Sequence, residues 1–211
     1  VAACIRKEGR GKKLRKKSHI LLGRYLADQM SEVYSLQQHR KAFCLGNIMP
    51  DLRPSFLTTR HEFFGTFNQL QNKMKELVER NPEEENARVY WRRFGEVMHY
   101  MADYFTFPHN RTYKGSLAEH NSYEAELKNR LKECILSGRA DSQLEEAKHF
   151  DSFEELVGYI RERHAYYLES PRCIADDIRF ILSVCYQVIQ GIFQLCVRRQ
   201  FHMEGQPVTA V

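Results

Sequence analysis

The sequence predicts an all-α protein, a compact single-domain bundle of many helices, on three observations. Apolar residues recur three and four positions apart in segment after segment, the period of a helix with one buried face. Nowhere does a stretch alternate apolar and polar residues in the period of two that marks a half-buried strand. No self-similarity stands at the periods of solenoid repeats. The chain has 211 residues, 43% hydrophobic and 28% charged, enough for one domain with a real core.

The elements follow in order. Arg6, Lys7, Arg10, Lys12, Lys13, Arg15, Lys16 and Lys17 make residues 1–17 a basic, flexible arm. Such an arm can attract an anionic membrane surface or nucleic acid. It also concentrates the net charge of +5 at one end, leaving the rest close to neutral. Residues 18–211 read as one helical domain. Ser18 to about Met30 forms the first helix, with Ile20, Leu21, Tyr25 and Leu26 on its stripe. A second helix runs from about Ser35 to Cys44 or Leu45, with Gly46 as its terminal glycine. Pro50 and Pro54 then make 47–54 a loop. Thr58 or Thr59 caps the next helix, which carries Phe63, Phe67, Leu70, Met74 and Leu77 and ends near Asn81-Pro82.

Glu83–Glu85 suit the positive end of the following helix, which carries Val89, Trp91, Phe94, Val97, Met98 and Met101. Ser116 caps another helix, holding Leu117, Leu127 and Leu131 and closed by Gly138. Asp141 to Phe150 reads as a short helix or turn, and Asp151 or Ser152 caps the helix after it. The last helix, opened by Ser170-Pro171 and running to Arg199, is apolar nearly all round and should be buried. No apolar run reaches the ~18 residues of a membrane span. Ile20-Leu21-Leu22 is too short for a secretory signal, so a cytoplasmic protein is expected. The six cysteines lack CxxC spacing and read as free thiols of a reducing compartment.

The chemistry concentrates between Glu96 and Glu124. His99 and Asp103, and again His120 and Glu124, stand four apart, so each pair shares a helix face about one turn apart. Each pair can close on one metal ion without bending the backbone. His109 lies between them, just after Phe107-Pro108, where a helix should stop. Imidazole nitrogen and carboxylate oxygen are ligands that zinc takes. Asp103 stands among Met98, Met101 and Phe105, where an unpartnered carboxylate is costly. Asp51 is either a turn former or a carboxylate held toward a site. A different di-metal reading rests on Glu96-x-x-His99 and Glu146-x-x-His149, the spacing of ferritin-like bundles, but it leaves His61, His109 and His120 unexplained.

Taken together, His19, Met49-Pro50-Asp51, His61, the His99–Asp103 segment His-Tyr-Met-Ala-Asp, Pro108-His109 and His120-x-x-x-Glu124 resemble, in order, the zinc-dependent phospholipase C family. That family shares its helical bundle and a similar ligand set with single-strand nucleases. The resemblance implies that His61, His99 and Asp103 hold one zinc and that His109, His120 and Glu124 hold a second. It implies that Asp103 bridges toward a third, to which His19 contributes, for two or three ions in all. Asp51 would act as general base or metal partner. The implied activity is hydrolysis of a phospholipid or other phosphodiester by metal-activated water. The family completes its third zinc with a terminal Trp, whereas the only Trp here is Trp91, inside a helix. Leu52 follows Asp51 where choline-binding members carry an aromatic residue, so choline specificity is not implied. A nuclease or nucleotidase on the same scaffold, and a non-catalytic metal-binding helical protein, are the alternatives.

Overall fold

The C-terminal helix α9 (Ile174–Met203) is the post against which the long helices pack. Its central residues Ile181, Leu182, Cys185, Val188, Ile189 and Ile192 are buried, which accounts for its apolarity on nearly every side. The structure, a computed structural model, describes residues 17–53, 61–80, 86–170 and 173–203. Before α9 come α1 (residues 17–29), α2 (Tyr34–Gln38), α3 (Arg40–Gly46), α4 (Met49–Leu52), α5 (Phe63–Glu79), α6 (Ala87–Tyr104), α7 (Leu117–Leu136) and α8 (Phe153–Glu169). Short 3-10 turns stand at Phe107–His109 and Asp141–Gln143. No strand occurs among the described residues, and the fold is all-α. Helices α5, α6, α7 and α8 all pack on α9, while α3 and α4 pack on α6.

Local chemistry sets the helix ends. Ser116 and Glu119 form a reciprocal capping box at the start of α7, and Ser152 accepts from the Glu155 N–H at the start of α8. Gly138, at φ 75°, takes the left-handed conformation just past α7. The cap of α6 is Asn86, whose side chain accepts from the Val89 N–H. The expected roles of Thr58, Thr59, Asn81-Pro82, Glu83–Glu85 and Pro171, and of the basic arm apart from Lys17, lie outside the described residues.

Four local expectations change. The second helix divides into α2 and α3 at His39. From α2 the Gln37 side-chain amide donates back to the carbonyl oxygens of Ala27, in the last turn of α1, and of Met30 just after it. Met49–Leu52 is one helical turn rather than loop, because Pro50 sits in its first turn, where its missing N–H costs nothing. Beyond Asp141–Gln143 the chain to Phe150 is irregular rather than helical. By length and composition, Ile174–Phe201 of α9 would reach across a bilayer, contrary to the reading that no span exists. However, 72% of its apolar window is buried inside the protein, and it carries the core contacts.

Gly46 is the last residue of α3, as expected, but it lacks the positive φ of a terminating glycine. It faces Gly95 of α6 so closely that a Cβ on Gly46 would overlap the Arg92 carbonyl, and one on Gly95 the Phe43 carbonyl. The pair lets α3 and α6 cross nearly backbone to backbone, which brings the Asn47 carbonyl onto α6. We expect Gly95→Ala to destabilise the metal-free protein by ~1–3 kcal/mol or more, as overpacking against rigid backbone does. A thermal melt checks this, and an unchanged melting temperature contradicts it.

Candidate metal centre

Helix α6 is the spine of the site. His99 and Asp103 lie one turn apart on its buried face, 0% and 3% exposed. Four other segments bring partners to them. His19 comes from α1, Asp51 from α4, His61 from the residue pair before α5, and His109 from the 3-10 turn that Pro108 starts. His120 and Glu124 come from the first turns of α7. All eight residues that the sequence singled out therefore meet in one region.

Asp103 is its hub. Its Oδ1 lies 3.2 Å from His19 Nε2, and its Oδ2 lies 3.0 Å from His61 Nδ1, 3.3 Å from His99 Nε2 and 3.6 Å from His109 Nδ1. His109 joins the two halves, since its Nε2 is 3.1 Å from Glu124 Oε1, which is also 2.8 Å from His120 Nε2. Three triads each offer three ligand atoms mutually within 4.8 Å: His19 with His99 and Asp103; Asp51 with His61 and His99; His109 with His120 and Glu124. The third triad is the set the family resemblance groups together. For the other two, the geometry offers Asp51 as well as Asp103 to the His61–His99 pair, and gives His19 to Asp103 and His99.

The donor set fits a cation. His99 Nδ1 lies 2.8 Å from the Asn47 carbonyl oxygen, which can only accept, so Nδ1 carries a proton and the Nε2 lone pair faces the cluster. That lone pair faces Asp103 Oδ2 and, at 3.8 Å, Asp51 Oδ1, both acceptors, with His61 Nδ1 at 3.1 Å as the one possible donor. A single His61 proton serves only one of these atoms, and the remaining lone pairs repel unless a positive charge lies between them. Asp51 Oδ2 is buried and receives no hydrogen bond from the described residues. A cavity of about 30 Å³ touches His19, Asp103, His109 and Glu124, room for an ion or a water. No cysteine enters the triads, and three nitrogen or oxygen ligands with a position to spare is the pattern of catalytic zinc.

The electrostatics run the same way. Burial opposes ionisation of Asp103, yet His109, His99, His19 and His61 together hold its carboxyl well below the ordinary range. Burial also opposes a charge on His99, but Asp103, Asp51 and the Asn47 carbonyl outweigh it and raise its pKa. The added proton would sit on Nε2, the atom aimed into the cluster. His19 goes the other way, lowered by burial and by the positive His99.

Two buried groups beyond the eight hold the frame. Asp177 of α9 accepts from the Phe107 N–H at 2.8 Å and from the hydroxyls of Tyr123 and Tyr167 at 2.9 and 2.7 Å. It thereby ties α7 and α8 to the turn that carries His109, while burial pushes its carboxyl up to about 6. His164 of α8 stacks on Phe63 at 3.9 Å between ring centres and bonds Asn110 Oδ1 at 3.2 Å. Burial outweighs the nearby Tyr104 carbonyl and takes its pKa down to about 4.

That shift has a definite sign. An unfolded imidazole protonates near 6.5 and this one only near 4, so between those values the unfolded chain binds more protons. The stability present above pH ~6.5 falls as pH drops through that window, by up to ~3 kcal/mol. His164→Gln, which keeps a donor for Asn110, should flatten this part of a stability-against-pH curve. An unchanged slope would contradict the assignment.

Glu96, Arg53, Asp177 and His164 were not singled out as parts of this region. Glu96 and Asp177 carried a readable signal, a carboxylate inside an apolar helix. The ferritin-like pattern dissolves. Glu96 pairs with Arg53 and Lys73, and His149 is exposed on an irregular stretch, where it pairs with Asp151. Trp91 is fully buried in the core, where its indole N–H donates to Ser35 Oγ. The five described cysteines are free thiols.

Compared with known protein families, residues 18–174 match the family described as zinc dependent phospholipase C. The match spans most of the chain and every residue of the triads, and the chain belongs to this family. No curated protein and no solved structure matches it.

Proposed function

We propose that the protein is a zinc-dependent phosphoric diester hydrolase that acts on phospholipids as a phospholipase C. His109, His120 and Glu124 would hold one zinc. His61 and His99 would hold a second with Asp103, and His19, beside Asp103, would contribute to a further one. When bound, zinc neutralises the phosphodiester and acidifies a water molecule. Asp103 and Glu124 are each shared between histidines of separate elements, so they fix the spacing of the two halves. Asn47 holds His99 in the tautomer that presents Nε2. Asp51 takes the proton of the attacking water, or completes a coordination sphere, through the oxygen that nothing else occupies. The carrying observation is that oxygen: a buried carboxylate atom with no donor among the described residues, beside His99 and His61.

The test is turnover of phospholipid vesicles by zinc-loaded protein, with single-stranded nucleic acid as a parallel substrate. Release of diacylglycerol and phosphorylated head group is expected. Cleavage of nucleic acid alone would move the protein to the nuclease reading. No turnover of either at full zinc content would leave a non-catalytic metal protein.

A further inference from the structure

Glu96 is a second buried carboxylate on α6, one turn before His99, and the hydrolytic reading does not use it. Its side chain is 6% exposed and binds two cations. Arg53 lies 2.7 Å from Oε1 and Lys73 lies 3.2 Å from Oε2. One cation neutralises a buried carboxylate, so the second leaves a positive surplus. The surplus is accessible, since the Arg53 and Lys73 side chains are 41% and 39% exposed. It also borders the metal centre. Arg53 follows Asp51 by two residues, and Lys73 is one aromatic ring away from His61. That ring is Tyr100, 5.7 Å from Lys73 Nζ and 4.7 Å from the His61 ring. A hollow of about 30 Å³ opens between Lys73, Tyr100, Thr66 and Gln69.

We propose that Arg53 and Lys73, anchored on Glu96, form an anion-binding lip of the metal centre that selects phosphodiesters whose head group carries a further negative charge. This rests on the hydrolytic reading given above and names the substrate class of that site. Guanidinium and ammonium donors suit phosphate or carboxylate oxygens. A quaternary ammonium head group would meet the same two charges as repulsion. It would also find the Tyr100 ring already taken by the chain's own Lys73, which removes the aromatic face such a cation needs. A purely structural ion triplet would join α4, α5 and α6 and show no preference among ligands.

The experiment measures binding of inositol bisphosphate and of phosphocholine to zinc-loaded protein by calorimetry, beside hydrolysis of vesicles containing phosphatidylinositol phosphate or phosphatidylcholine. Wild type should favour the anionic member of each pair by ~10-fold or more, the worth of a charge-assisted hydrogen bond. Arg53→Gln and Lys73→Gln should each remove most of that preference and leave phosphocholine binding within about two-fold, with unchanged zinc content. Lys73→Gln leaves Arg53 on Glu96, so it tests the lip even where Arg53→Gln lowers stability. Equal loss for both ligands, or no preference in wild type, overturns the proposal. Preferential anion binding that the variants abolish, without turnover of any lipid, sustains the lip and counts against the hydrolytic reading. Turnover without preference does the reverse.

Discussion

Asp103→Ala should cost the protein its activity together with all zinc except an ion held by His109, His120 and Glu124. Its two oxygens reach His19, His61, His99 and His109, drawn from α1, the start of α5, α6 and the 3-10 turn. Removing it leaves the buried imidazoles of His19, His61 and His99 and the half-buried His109 with only Asp51 and Glu124, at the two edges, as counter-charge. Loss of groups that merely orient a ligand weakens metal binding by ~10–100-fold, and loss of a shared carboxylate should exceed that range. We expect dialysed Asp103→Ala protein to keep zinc only where His109, His120 and Glu124 retain it, and to turn over no phosphodiester. Metal analysis beside a lipid assay checks this. Full zinc content in the variant would remove Asp103 from the centre.

Asp51→Asn should separate what Asp103→Ala joins. Asp51 stands at the edge of the cluster, 3.8 Å from His99 and touching fewer partners than Asp103. Its Oδ2 accepts nothing from the described residues. The amide keeps the shape of the side chain but cannot take a proton, so turnover should fall by ~10²–10⁴-fold, the usual worth of a general base. Zinc content should fall far less. Turnover near wild type would end the role of Asp51 as base, and complete loss of zinc would make it a ligand first.

The parts of the site legible in the sequence are those governed by one helix period or by one energetic oddity. His120 and Glu124 announce themselves because four residues bring side chains back to the same face. Asp103 does so because a carboxylate among methionines and phenylalanines demands a partner. The same logic applied to Glu96 would have found the Arg53–Lys73 pair, but Glu96 was read only as half of a Glu-x-x-His pattern. Asp51 read first as a turn former, since two prolines near it suggested loop. In the fold, Pro50 starts a helical turn that buries the carboxylate.

What stayed hidden depends on long-range contact between backbones. Gly46 looks like a helix terminator in sequence. Its use is to let α3 approach Gly95 of α6, and that approach brings the Asn47 carbonyl to His99. No local pattern marks a carbonyl as a partner, because every residue has one. Asp177 shows in the sequence as a carboxylate in an apolar helix, but the three donors it joins, from α7, α8 and the turn that carries His109, are hidden from a reading taken one helix at a time.

The central claim is that one pocket on α6 holds cations. Diffraction from zinc-loaded crystals at wavelengths on either side of the zinc absorption edge tests it directly. Anomalous peaks are predicted within the ring of His19, Asp51, His61, His99, Asp103, His109, His120 and Glu124. Peaks only at outlying histidines such as His39 or His149, with none inside that ring, would contradict it.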